Sequence, residues 1–140
     1  MKINFKIITP ERIVLQEQAD QITLPTVMGE ITILPNHIPL VAVLVAGELI
    51  LKNDNKEISM AVSGGLIEVK KNETIILADT AEIASELNEE KIEEARKKAE
   101  QLLIEAKNRQ EVDITGLVGG LDRELARLKV ARMHKIKKTY

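Results

Sequence analysis

The sequence contains no cysteine and no tryptophan, and Phe5 and Tyr140 are its only aromatic residues. Without cysteine there is no disulfide framework, no thiolate nucleophile and no thiolate metal site, a composition that fits a reducing compartment. Without aromatic platforms, stacking on bases or sugars is almost excluded, and the core has to be assembled from Ile, Leu, Val and Ala. Long apolar runs are missing too. No stretch reaches the roughly 18 consecutive apolar residues of a membrane span, and the opening MKINFKIITPER interleaves charge with its apolar residues, so a secretory leader is not expected. Any membrane contact is therefore expected to come through a partner.

What is present is ordinary in amount and uneven in placement. The 140 residues are 44% hydrophobic and 30% charged, enough for one sizeable core or two small ones. Net charge is only -2, but Lys and Arg against Asp and Glu count 7 to 10 in residues 1–80, a balance of -3, and 7 to 2 in residues 121–140, a balance of +5. A basic segment of this kind is a solvated helix face, or a surface for nucleic acid or for an acidic protein.

The periodicity changes near residue 80. Before it the period is two: INFKII sets Ile3, Phe5 and Ile7 against Asn4 and Lys6, and QITLP, EITIL, ELILK, EISMAV, LIEVK and TIILAD repeat the pattern. Turn signals separate these runs, among them Met28-Gly29, Asn53-Asp54-Asn55, Gly64-Gly65 and Lys71-Asn72. About ten short strands without intervening helices predict a β-sandwich or flattened barrel. From Asn88, a plausible N-cap, the period becomes helical, with Ile92, Ala95, Ala99, Leu102, Leu103 and Ala106 on one stripe. After the polar break NRQEVDITG a second stripe follows through Leu121, Leu125, Leu128 and Ala131. The expected fold is α+β, with a sandwich over 1–84 and an antiparallel two-helix hairpin over 85–140.

No constellation for catalysis emerges. VSGGL around Ser63 lacks the order of a nucleophile elbow, and Gly64-Gly65 reads as a tight turn. His37 and His134 fall in different modules, with no companion ligands at metal-binding spacing. VGGLDRE has glycines but not the lysine of a phosphate loop. No catalytic or metal residue is therefore assigned. GEITILPNHIPL is the densest local signal: Pro35 and Pro39 bracket Asn36, His37 and Ile38 and deny two ladder hydrogen bonds, making a rigid bend at a sheet edge. Such a bend is either a structural corner or a stiff presenting surface.

GEITILPNHIPLVAVL, the following SGGLIEV, the sandwich-then-hairpin order and the ending LDRELARLKVA together resemble the epsilon subunit of the bacterial F-type ATP synthase, over essentially the whole chain. The resemblance implies a non-catalytic rotor subunit, peripheral on the cytoplasmic face of the bacterial cell membrane. Its implied partners are the gamma subunit, the c-ring, and the alpha and beta subunits of the catalytic head. Nucleic acid is not among them, and membrane contact comes only through the complex. The rotor interface then falls on Gly29, Glu30, Pro35, His37 and Pro39, with Glu30 towards the ring and His37 near gamma. Inhibition of ATP hydrolysis falls on the second helix, through Arg123, Arg127, Lys129 and Arg132. Some members bind ATP through an isoleucine-aspartate-x-x-arginine-alanine motif. Here those positions read Leu87, Asn88, Glu89, Glu90, Lys91 and Ile92, so no cofactor is implied, with ATP at most a weak regulatory ligand at Glu82, Asn88, Lys91 and Lys98. The tract Gly116–Gly120 departs from the helix-forming residues expected there and predicts a second helix that starts late and moves more freely. A free-standing adaptor, with one partner on the sandwich and another on the hairpin, explains the organisation equally well but not the proline-bracketed stretch.

Overall fold

In strand β1 (Ile3–Ile8) the alternation is realised directly: Ile3, Phe5 and Ile7 are buried while Asn4 faces solvent. The computed structural model describes residues 1–110 and 113–139, with side chains to Ile136. Seven further strands follow: β2 (Ile13–Ala19), β3 (Gln21–Thr26), β4 (Gly29–Ile33), β5 (Leu40–Leu44), β6 (Gly47–Asn53), β7 (Lys56–Lys70) and β8 (Glu73–Ile83). All belong to one hydrogen-bonded sheet in the order β2-β1-β8-β7-β5-β3-β4, with β6 bridging β7 and β3. Only β1 and β8 run parallel; the other pairs are antiparallel.

The strands number eight rather than about ten, because EISMAV and LIEVK are two halves of one 15-residue strand. Gly64-Gly65 is therefore not a turn between strands. It is a kink inside β7, with φ of 46° and 141°. Before the kink β7 pairs with β6, from Asn53↔Lys56 to Gly47↔Val62. After it β7 pairs with β5, from Leu44↔Gly65 to Leu40↔Val69. The sheet thus folds over on itself, and the enclosed space is filled by Phe5, Ile22, Leu24, Leu44, Leu49, Leu51, Met60, Ile67 and Ile76, each at most 1% exposed. At Gly65 a Cβ would overlap the Leu77 carbonyl, and at Gly64 it would overlap the Asp79 carboxylate. At Gly65 both the dihedral and the backbone overlap exclude a side chain, whereas at Gly64 the dihedral is one that Asp54 also adopts and the exposed Asp79 carboxylate can move aside.

A single 3-10 turn (Ala84–Glu86) leads into helix α1 (Glu89–Asn108), and helix α2 (Thr115–Thr139) returns. Asn88 is the N-cap: its Oδ1 accepts from the Lys91 amide at 3.2 Å, with Glu89 and Glu90 in the positive first turn. Two corrections apply to α2. It begins at Thr115, ahead of the glycines, where Asp113 Oδ1 accepts from the Thr115 amide at 3.0 Å; Glu111 and Val112 of the expected break lie outside the described residues. Its buried positions are also not one stripe. Leu125 is 46% exposed, while Glu124, Ala126, Leu128, Val130 and Ala131 are buried. The reason is positional: α2 lies between β6–β7 on one side and α1 on the other. Val130 packs with Ala61 and Ala84, while Leu128 and Ala131 pack with Ile92.

Gly65→Ala is expected to destabilise the sandwich by about 2–4 kcal/mol, combining a forbidden dihedral with a backbone overlap. Urea unfolding of the full chain checks this, and a loss below about 1 kcal/mol would contradict the corner assignment.

Candidate functional site

The interface residues inferred from resemblance divide between the two ends of edge strand β4. At its start, Thr26 Oγ1 donates to the Gly29 carbonyl at 2.6 Å and accepts from the Met28 amide at 3.1 Å, locking the turn that presents Val27, Met28 and exposed Glu30. Gly29 supplies the φ of 105° this turn requires. At the far end, the His37 amide donates to the Leu34 carbonyl at 3.1 Å across a turn with Pro35 second and Asn36 third at φ 66°, the residue choice of a type II turn. His37 Nδ1 lies 2.7 Å from the Ile38 carbonyl, so this ring is fixed against its own backbone. At about 3.3 Å per residue, Glu30 and Pro35 are separated by roughly 16 Å. The residues inferred for the interface therefore fall at two separate places rather than one.

The strands on the other side of the sheet path from β4 carry a feature that reading for alternation misses. Val43 pairs with Leu66, Leu66 with Leu77, Leu77 with Ile8, and Ile8 with Ile13, giving an unbroken apolar row across β5, β7, β8, β1 and β2 on the outward face. Val43 is 45%, Leu66 50%, Leu77 52% and Ile13 52% exposed. Val41 at 71% and Val27 at 60% extend the patch. The signal was available in the doubled apolar residues Leu66-Ile67 and Ile76-Leu77, where a half-buried strand would have placed a polar residue outward.

On the hairpin, Arg127 is the central group. Its Nη2 donates to Glu82 Oε2 at 3.0 Å, and its Nη1 donates to Glu124 Oε2 at 2.8 Å and Oε1 at 3.1 Å. Nε lies 2.7 Å from Glu82 Oε1 without an aligned N–H. One guanidinium thus joins β8 to α2 while neutralising the buried Glu124 carboxylate. Desolvation works against the charge of Arg127, but the hydrogen bond and charge of Glu82, reinforced by Glu124, more than offset it and raise its pKa. Arg132 lies 3.1 Å from Glu89 and 3.4 Å from Glu93, and Arg123 lies 3.7 Å from Glu124. Lys129 is exposed. Among the described residues, the arginines of α2 are therefore matched by this chain's own carboxylates. Glu93 in turn is held below the usual glutamate range, chiefly by the Arg96 hydrogen bond, with Arg132 adding to the charge.

The four positions considered for a nucleotide do not converge. Glu82 is engaged by Arg127, and the Asn88 oxygen caps α1. Asn88 lines a cleft of about 980 Å³ between the start of α1 and the end of α2, together with Glu90, Glu94, His134 and Lys135. Lys98 lines a separate groove of about 270 Å³ with Arg123. Lys91 is exposed. Ser63 shares a hydrogen bond with the Thr80 hydroxyl, and among the described residues no three His, Cys, Asp or Glu side chains converge on a metal position. No described helix is long and apolar enough to cross a membrane.

A folded-over eight-stranded sandwich carrying a helical hairpin, with an exposed apolar face, has the character of a docking subunit. Residues 2–84 match the family described as ATP synthase, Delta/Epsilon chain, beta-sandwich domain. The ATP synthase epsilon chain of Herpetosiphon aurantiacus is 40% identical over 135 residues, 96% of this chain and 98% of the relative. That of Chloroflexus aggregans is 41% identical over 138 residues, 99% of this chain and 98% of the relative. A chain in the cryo-EM structure of the Euglena gracilis mitochondrial ATP synthase, OSCP/F1/c-ring in rotational state 1, shares the fold with a TM-score of 0.74 at 24% identity, over 95% of this chain and 82% of that one. This chain belongs to the ATP synthase epsilon chain family.

Arg127→Ala is expected to loosen the hairpin by about 2–3 kcal/mol, because it removes both hydrogen bonds to the buried Glu124 carboxylate and leaves it only the more distant Arg123, whereas Glu82→Gln should cost only about 1 kcal/mol. Hydrogen exchange over residues 124–131 measures both, and equal protection in wild type and Arg127→Ala would contradict the assignment. A lowered Glu93 pKa stabilises the fold above the ordinary value of 4.5, and that contribution is lost as pH falls through the lowered one. Because the main partner, Arg96, is on the same helix, it is chiefly α1 that should keep this support from pH 5 to 8 and lose it in stronger acid, a loss that helical circular dichroism followed through an acid titration would register.

Proposed function

We propose that this chain is a non-catalytic rotor-stalk subunit of an F-type ATP synthase, with residues 1–84 docking on the rotor and residues 85–140 regulating ATP hydrolysis. The observation that carries the reading is the outward apolar row from Val43 to Ile13. A water-exposed patch of that continuity on a five-strand face is costly unless a partner covers it. The gamma subunit is the partner assigned to this face and to the turn around His37, and the c-ring the one assigned to the Glu30 end. The hairpin is assigned to the alpha and beta subunits of the catalytic head. Such a subunit is peripheral at the cytoplasmic face of the bacterial membrane, held there by the complex.

Leu66→Glu with Leu77→Glu should weaken binding to a gamma and c-ring assembly by at least about a hundredfold, since each buried leucine contributes roughly 1.5–3 kcal/mol. Both side chains point outward, so the circular dichroism of the variant should match wild type. Pro35→Ala with Pro39→Ala, and separately Glu30→Lys, should lower ion coupling while ATP hydrolysis by the isolated head changes little. A 1–84 fragment should dock as the whole chain does without inhibiting hydrolysis. Unimpaired binding of the double glutamate variant would remove the reading.

ATP is assigned no more than a weak role, with a dissociation constant of roughly 1 mM or above, about -4 kcal/mol. Glu82 and Asn88 support this because their side chains are already engaged, and Lys91 because an ammonium cannot make the bidentate contact of a guanidinium. Micromolar affinity in a calorimetric titration would overturn it.

A further inference from the structure

We propose that the first third of α2, Thr115–Arg123, is a built-in melting segment, which unwinds locally while Glu124–Ala131 stays seated, so that the hairpin opens at its tip without leaving its root. Gly116, Gly119 and Gly120 all lie within this segment. A helical glycine is ordinarily explained by a close approach or by a positive φ. Neither explanation holds here: a Cβ at any of the three would meet nothing within 4 Å, and none of them has a positive φ. Gly65 in β7 shows both constraints, so the contrast lies within the same chain. What the three glycines do is lower helix stability, each by about 1 kcal/mol relative to alanine.

Burial does not offset that loss. None of residues 115–123 is buried, whereas five of the next eight are. The α1 surface opposite is equally sparse, with Leu102 43% and Ile104 51% exposed and Ala106 the sole buried residue in the second half of that helix. The missing side chains leave the groove of about 270 Å³ between the helices, floored by Ala99, Leu102, Gly116 and Gly120. The root is built differently. There Leu87, Ile92, Leu128 and Ala131 pack together, Arg132 spans to Glu89 and Glu93, and Arg127 ties α2 to β8. Unwinding therefore stops where buried contacts begin, near Glu124.

Amide hydrogen exchange on the full chain tests this. In wild type, the amides of residues 119–123 should exchange at least tenfold faster than those of 126–131. Gly116→Ala, Gly119→Ala and Gly120→Ala together should slow exchange at 119–123 on the order of a hundredfold, about fivefold per position, with sandwich amides unchanged. Gly119→Ala alone, whose added methyl enters open space, should slow it about fivefold and serves if the triple variant folds poorly. Uniform wild-type protection along α2 overturns the proposal. So does a triple variant slowed by less than tenfold, or a single variant with no slowing at all.

Discussion

The kink at Gly64-Gly65 is the constraint on which the rest of the molecule depends. A single sheet can enclose a core only if one strand serves both layers, and β7 does so by exchanging β6 for β5 at this point. The exchange brings β7 so close to β8 that the Leu77 carbonyl occupies the position of a side chain at Gly65. Leu66 and Leu77 face outward just beyond the kink, and Ala61, the seat of α2, lies just before it.

The two halves of the chain are held by different physics. The sandwich closes over large aliphatic side chains that are almost entirely removed from water, a stabilisation that scales with area and changes little with salt. The hairpin rests on small clusters rich in alanine and on ion pairs that are partly exposed. Such contacts are individually modest and are screened by salt. A tightly packed sandwich joined to a lightly held hairpin is consistent with the proposed division into a docking body and a regulatory arm. The basic groups of α2 are not a free surface in this pose, because Arg127 and Arg132 are matched by Glu82, Glu124, Glu89 and Glu93. Contact with an external acidic surface has to compete with those carboxylates.

Several features were legible in the residues because they are local. The alternation of Ile3, Phe5 and Ile7, the cap at Asn88 and the proline-bracketed bend each involve neighbours within a turn or a strand. Gly64-Gly65 reads as a turn in the sequence because the dipeptide that makes a tight turn also permits a kink, and the choice depends on which strands lie alongside. Leu125 falls outside the expected buried stripe for a related reason. A stripe drawn on an isolated helix assumes one buried face, whereas α2 has neighbours on two sides.

By itself the sequence determined the class of fold, the change from strands to helices near residue 80, the aliphatic character of the core and the stiffness of the 35–39 bend, since all of these follow from composition, period and backbone restriction. Only the tertiary structure decided that the outward residues Val43, Leu66, Leu77, Ile8 and Ile13 form one continuous row, because strand register is a long-range property that no single strand encodes. It alone also joined Arg127 to Glu82 across 45 residues. Finally, it showed Gly116, Gly119 and Gly120 to face open space, since whether a glycine is needed depends on what stands opposite its missing side chain.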